Sequence, residues 1–313
     1  MERFYSDEAI PEHLRGAIVA LGNFDGFHLG HQAVVGRAVE RASISGRPVV
    51  VATFDPHPAR FFRPDAPHFR LTSLDQRERL FAAAGASAML VFRFDEKLAA
   101  TTAEDFVALL VRDMGAVGVV TGADFTFGKA RGGSVATLSE LGAAMGFAVK
   151  AVEPVMDDQG LVVSSSRIRT ALIEGDCATA TRLLTRPFAI EGAVMHGDKV
   201  GRELGYPTAN VDLGPYLRPA YGVYAVRGRL PDGRVLDGAA NLGIRPQFDP
   251  PKELLEPYFF DFSGDLYGQT VEVQLIERIR GEAKFDGLDA LKAQIARDCE
   301  TARHILAEHP RLA

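Results

Sequence analysis

Five short apolar runs, Ala17–Leu21, Pro48–Phe54, Ser87–Phe92, Ala116–Thr121 and Phe147–Glu153, alternate with amphipathic stretches through the first half of the chain. The runs are apolar and rich in Val, as buried parallel strands tend to be. Gln32–Ser45, Ser73–Ala84, Ala103–Met114 and Val135–Met145 carry helical periodicity between them, and Thr102 with Asp105 reads as a capping box. Buried strands connected through helices have few ways to pack. The βαβαβ order predicts a doubly wound α/β layer structure with ligands beyond the carboxyl ends of its strands.

Helical patterns continue through Ser166–Glu174 and Cys177–Leu184, and the character changes near Arg186-Pro187. From there Phe188–Met195, Gly222–Leu230, Val235–Leu242, Leu254–Phe262 and Thr270–Ile279 read as short alternating strands, with Pro231-Asp232-Gly233 as a hairpin turn. A small barrel or sandwich follows. The chain closes on a helical stripe of Leu288, Leu291, Ile295, Ala302, Ile305 and Leu306. Two domains are expected, residues 1–185 and 186–313, which suits a length of 313 residues.

Composition narrows the partners. A net charge of −6 gives no general footing for nucleic acid or an anionic membrane. No apolar run approaches the ~20 residues of a membrane span, and the start, Met1 to Glu8, is too polar for a signal peptide. Cys177 and Cys299 are the only cysteines and stand in unrelated contexts, so free thiols in the cytoplasm are expected. Oligomeric state is not legible.

The first apolar run feeds directly into Gly22-Asn23-Phe24-Asp25-Gly26-Phe27-His28-Leu29-Gly30-His31-Gln32. A strand, a glycine-rich turn and a helix start suit an anion, because unpaired N–H groups and the helix dipole face whatever sits there. His28 and His31 fall on one side of the first helical turn and can donate to phosphate oxygens. The segment reads as a nucleoside triphosphate site. A lone His-x-x-His is ordinarily solvated or structural, and zinc lacks its accompanying Cys and carboxylates. Thr53–Pro58, Gly122–Gly128 and Ser164–Arg169 follow other strands and are expected to converge on this turn. His57, between two prolines, reads equally well as a rigid turn residue. The serine run alone would be an ordinary helix cap.

The second half opens with His196-Gly197-Asp198-Lys199-Val200-Gly201-Arg202-Glu203-Leu204-Gly205-Tyr206-Pro207-Thr208-Ala209-Asn210. The chain has no P-loop, yet Gly197, Gly201 and Gly205 suggest a mobile loop that lets backbone approach phosphates. Thr208 and Asn210, at i and i+2, would face the same way on a strand and jointly hold Mg²⁺ and a phosphate oxygen.

These segments carry a resemblance. Gly22–Gln32 resembles the Gly-x-Phe-Asp-Gly-x-His-x-Gly-His signature of the nucleotidyltransferases, and with Thr53–Pro58 and Ser164–Arg169 it looks like the adenylyltransferase half of prokaryotic bifunctional riboflavin kinase/FMN adenylyltransferases. Gly197–Asn210, with Tyr206 in place of Phe, resembles the Gly-x-x-x-Gly-Arg-x-Leu-Gly-Phe-Pro-Thr-Ala-Asn motif of riboflavin kinases. Gly222–Tyr224, Asn241–Pro246 and Glu256–Phe262 followed by Gly264–Gly268 match as well. A cytidylyl- or pantetheine-type transferase shares the histidine turn, but the second half argues against it.

The resemblance implies a nucleotidyltransferase domain followed by a six-stranded β-barrel with a C-terminal helix, with riboflavin, FMN and ATP as small-molecule substrates and Mg²⁺ as cofactor. In the first site it implies phosphate contacts from His28, His31, Ser165, Ser166 and Arg169, within a nucleotide-binding turn that includes Gly22, Phe24, Asp25, Gly26 and Gly30. Asp55, Asp124 and Phe125 would line the flavin side. In the second site Glu256 falls at the catalytic carboxylate. Asp261 and Asp265 are rival carboxylates, read as turn residues. The departures are Ser134, where Asp or Thr is common, Gln247 for Thr and Tyr258 for His. No role is expected of Ser134.

The two reactions explain the residue types. A phosphate monoester, with a second pKa of about 6, arrives mostly dianionic and needs donors and cations rather than a base. A sugar-like hydroxyl arrives protonated, so a positioned carboxylate is useful even as a weak base.

Overall fold

The computed structural model describes residues 1–196, 205–245 and 252–309. It divides into two compact units, Met1–Pro67 with Leu74–Ser164, and His68–Ser73 with Ser165–Ala313.

The first unit is built on a six-stranded parallel sheet of order β1-β4-β3-β2-β5-β8. Its strands are β1 (Glu2–Tyr5), β2 (Ile18–Leu21), β3 (Val49–Asp55), β4 (Ala88–Arg93), β5 (Gly118–Gly122) and β8 (Ala148–Val152). Successive side chains point to opposite faces. Val19, Leu21, Val50 and Val119 therefore join a core with Phe106 and Leu138, while Ile18, Ala20, Val51 and Val120 pack with Val35, Ala38 and Phe81. Helices thus cover both faces, as the alternating pattern predicts. Helix α1 (Leu29–Ser45) ends at Gly46 in the left-handed conformation.

Several details depart from the sequence reading. β1 pairs with β4 although its stretch is mostly polar; it lies on the sheet edge and buries only Phe4. The helix expected over 103–114 changes to a π turn at Leu109–Asp113. Thr102 caps it by accepting from the Asp105 N–H at 3.1 Å, but its hydroxyl meets the Asp105 side chain rather than completing a reciprocal box. The reciprocal box forms instead at Ser134 and Thr137, which gives Ser134 a role as helix cap.

The second unit holds a closed antiparallel barrel of order β10-β13-β12-β11-β14-β9. Its strands are β9 (Phe188–Met195), β10 (Asn210–Asp212), β11 (Gly222–Arg229), β12 (Val235–Arg245), β13 (Lys252–Phe259) and β14 (Thr270–Arg280). Closure leaves no exposed sheet edge. Five of these strands match expected runs. The sixth, β10, is too short to show a period. The C-terminal helix, Leu288–Glu308, packs Ala302, Ile305 and Leu306 against the barrel. Leu288 is exposed, so the apolar stripe begins later than expected. Two barrel arginines pin this helix. Arg280 Nη2 donates to Asp298 at 2.6 Å, and Arg227 Nη2 donates to the Leu306 carbonyl at 2.9 Å. Among the described residues no helix is long and apolar enough to cross a membrane.

Candidate active sites

Leu21 at the end of β2 pairs with Ala52 of β3 on one side and Thr121 of β5 on the other. The chain order reverses here, since β3 precedes β4 outward on one side and β5 precedes β8 on the other. Such a reversal is where an open α/β sheet leaves a crevice for ligand. The segments after β2, β3 and β5, which carry His28 and His31, Asp55, and Asp124 with Phe125, stand side by side at its rim.

The turn itself is tightly held. Gly22 N–H donates to the Ala52 carbonyl, and the Thr121 hydroxyl to the Leu21 carbonyl. Phe24, Gly26 and Phe27 all take positive φ, a strained arrangement for phenylalanine. What holds it is the burial of both rings against Phe81. Phe24 is thus an anchor in the core, and its side chain is not available to a phosphate; Asp25 is buried as well.

His28 is the N-cap of α1, and its Nδ1 accepts from the Gly30 and His31 N–H groups at 3.2 and 3.4 Å. This corrects the expectation that those N–H groups are open to an anion: the imidazole already occupies them. An accepting Nδ1 places the ring proton on Nε2, so His28 presents a neutral N–H donor. The His31 ring stacks on it at 3.7 Å and 19°, and meets the Phe24 ring edge-on. Gly30 leaves room for the ring, because a Cβ there would lie a tight 3.1 Å from His28 Cε1. The same position is 3.6 Å from the Val163 carbonyl.

Asp55 ends β3 and is partly exposed. His57 caps the short helix Pro58–Phe62 through Nδ1, which accepts from the Ala59 N–H at 3.1 Å, the turn reading of that residue. Asp124 is exposed, with Oδ1 folded over Gly122, where a Cβ would come within 2.9 Å. Phe125 stacks on Phe127. Ser165 and Ser166 open α7 (Ser165–Glu174), in the second unit, and Ser166 is exposed. Arg169 donates from Nε to the Phe69 carbonyl at 2.8 Å and lies over the Phe69 ring.

Sequence reading missed Arg77, an arginine on an amphipathic helix that by pattern should face solvent. It is buried and bonded to Thr53 and Asn23. Nothing local marks such a residue.

In the barrel, Glu256 lies mid-way along β13, opposite Asn241 of β12. On its other side Val211 pairs with Leu255, and the Ala209 N–H donates to the Pro257 carbonyl, so Asn210 runs beside Glu256. Directly opposed residues share a face. Asn210, Glu256 and Asn241 therefore form a row across three strands. Asn241 Nδ2 is sequestered from solvent with no hydrogen-bond partner among the described residues; its place beside Glu256 depends on register, which the sequence does not print. Thr208 precedes β10 rather than lying on it, contrary to the expectation that both metal-site residues share a strand. Gly205 takes φ +86, while Gly197, Gly201 and Gln247 lie outside the described residues. Tyr206 and Tyr258, both departures from the expected pattern, meet edge-on at 5.4 Å. The rival carboxylates are engaged elsewhere: Asp261 pairs with Arg303 at 3.0 Å, and Asp265 accepts from the Tyr267 N–H at 2.9 Å.

Comparison with known proteins separates the same two parts. The FAD synthetase family profile matches residues 10–167, and the riboflavin kinase family profile matches residues 184–306. The chain is 41% identical over 299 residues to the bifunctional riboflavin kinase/FMN adenylyltransferase of Pseudomonas fluorescens, covering 95% of each. It is 40% identical over 289 residues to that of Escherichia coli (strain K12), covering 92% of each. The corresponding figure for Bacillus subtilis (strain 168) is 37% over 299 residues, 94% of this chain and 93% of that one. A solved structure named as a macrolide-efflux protein from Streptococcus pneumoniae superposes with a TM-score of 0.86 at 33% identity, over 97% of this chain and 99% of that one. With two domain profiles in tandem and near-complete coverage of these relatives, the chain belongs to the family of bifunctional riboflavin kinase/FMN adenylyltransferases.

Proposed function

We propose that this chain converts riboflavin to FMN with ATP in its barrel, and FMN to FAD with a second ATP at the histidine turn, releasing pyrophosphate. Residues 1–185 form the adenylyltransferase domain and 186–313 the kinase domain.

In adenylyl transfer the FMN phosphate attacks the α-phosphorus of ATP. The nucleophile is already ionised, so the residues around it hold charge rather than remove a proton. His28 donates from Nε2, and His31, Ser165, Ser166 and Arg169 add further donors and a cation to the phosphates. Asp55, Asp124 and Phe125 bound the flavin side. The observation that carries this reading is the stacked His28–His31 pair at the point where the strand order reverses.

In the kinase step Glu256 accepts the proton of the riboflavin 5′-hydroxyl as the γ-phosphoryl group moves to it. Positioning matters more than base strength in a loose phosphoryl-transfer transition state. Thr208 and Asn210 offer two neutral oxygen donors, which suits Mg²⁺ that keeps most of its ligands as water and nucleotide phosphate. Bound there, the ion would neutralise charge on the transferring phosphates. Two free thiols in the chain support a reducing, cytoplasmic setting.

The test is a product assay. With riboflavin, ATP and Mg²⁺, His28→Ala should accumulate FMN and form no FAD. Glu256→Ala should form no FMN from riboflavin, yet still make FAD when FMN is supplied. Loss of FMN formation in folded His28→Ala, or of FAD formation from supplied FMN in folded Glu256→Ala, would overturn the two-site assignment.

A further inference from the structure

Arg77 lies in α3 (Leu74–Ala83), a helix whose packing against the sheet is already supplied by the fully buried Phe81. The side chain of Arg77 is nevertheless only 4% exposed. A guanidinium is costly to bury unless hydrogen bonds answer its donors, so its partners show what it holds. Arg77 Nη1 donates to Thr53 Oγ1 at 2.8 Å and to the Asn23 carbonyl at 3.2 Å. Arg77 Nη2 stands 3.9 Å from Asp55 Oδ1. Thr53, itself fully buried, donates its hydroxyl to the same Asn23 carbonyl at 2.8 Å. One side chain thus ties the β2–α1 turn to the end of β3.

The tie reaches the histidines through a chain of bonds. Asn23 is followed by Phe24, whose carbonyl accepts from the Phe27 N–H at 3.1 Å. The Phe27 carbonyl accepts from Gln32 Nε2 at 3.0 Å, and the His28 carbonyl from the Gln32 N–H at 2.9 Å. With two phenylalanines held at positive φ, this turn has little freedom to absorb a shift at Asn23. We propose that Arg77 is a positioning residue for adenylyl transfer: it fixes the turn that presents His28 and His31, orients the Asp55 carboxylate, and sets a buried positive charge beneath the triphosphate. The proposal rests on the histidine turn being the nucleotide site.

The guanidinium fork matters, not charge alone, because one donor group serves two acceptors while a second faces the carboxylate. Arg77→Lys keeps the charge and loses that geometry. Thr53→Val is nearly isosteric, removes the relay hydroxyl and offers a second route to the same break. Both variants and their double should be assayed in the full chain for FAD formation from FMN and for FMN formation from riboflavin, with His28→Ala alongside. Arg77→Lys is expected to lower kcat for FAD formation by about tenfold or more, since small misplacements of reacting groups carry such losses. The KM for ATP should change less than kcat, and FMN formation should be retained. Thr53→Val should do the same, and the double variant should lose less than the product of the two single losses. Unchanged FAD formation in Arg77→Lys, with His28→Ala inactive, overturns the positioning role and leaves the site reading intact. Equal loss of both activities in Arg77→Lys and Thr53→Val, or strict additivity in the double, also overturns it. Full FAD formation by His28→Ala would instead remove the site reading, and this proposal with it.

Discussion

His28 joins two tasks in one ring. Nδ1 closes the N-terminus of α1, and the same bonds fix the ring proton on Nε2, the donor that the proposed site would offer a phosphate. Such a cap needs a close approach at the next-but-one residue, and Gly30 leaves room for it. Gly30→Ala would put a methyl 3.1 Å from His28 Cε1 and 3.3 Å from Nδ1. The ring must then give by a few tenths of an ångström, which disturbs the cap. FAD formation should fall by about tenfold or more as the donor is displaced, while FMN formation by the same preparation stays intact. Wild-type FAD formation in Gly30→Ala would mean that the ring's place is not critical. At this scale too, Tyr206 and Tyr258, the two tyrosine departures, meet edge-on.

At the scale of elements, β13 carries two glutamates with different surroundings. Burial alone would raise the Glu253 carboxyl, but the Tyr221 hydroxyl and the Arg218 guanidinium, whose Nε donates at 2.8 Å, outweigh it and hold the group below the usual carboxylate range. A carboxyl lowered in the folded state contributes stability above its unfolded pKa, near 4.5, and loses it as pH falls through the folded value. Glu253→Gln should therefore be less stable than wild type at pH 7, and the difference should shrink on acidification below about pH 4. Urea denaturation at the two pH values measures this; a gap that is constant or widens in acid would refute the assignment. The β13 register was not legible beforehand. Alternation tells which residues share a face of one strand, but pairing with β12 and β10 is decided by closure of the barrel. For that reason Glu256 could be named from a motif while its neighbour Asn241 could not be assigned a role.

For the whole molecule, separate sets of residues predict separable activities. An equimolar mixture of His28→Ala and Glu256→Ala should convert riboflavin to FAD, because FMN made by one chain can be adenylylated by the other. Accumulation of FMN without FAD in the mixture would show that the intermediate does not exchange between chains. Both thiols are kept out of such chemistry by burial, which pushes Cys177 up to about 12 and Cys299 to about 11.

The sequence alone determined the kinds of elements and the place of the glycine turn between β2 and α1. Strands buried on two faces and a glycine turn opening a helix are local consequences of side-chain period and backbone freedom. They sufficed for the parallel sheet, for most of the barrel strands and for placing His28 and His31 at the start of α1. Only the tertiary structure decided the edge strand β1, the short β10, the row across β10, β13 and β12, and the burial of Arg77. Each depends on contacts between segments distant in the chain. A polar edge needs no apolar period, a three-residue strand is too short to show one, and a buried guanidinium is specified by the acceptors that surround it, not by its neighbours in sequence.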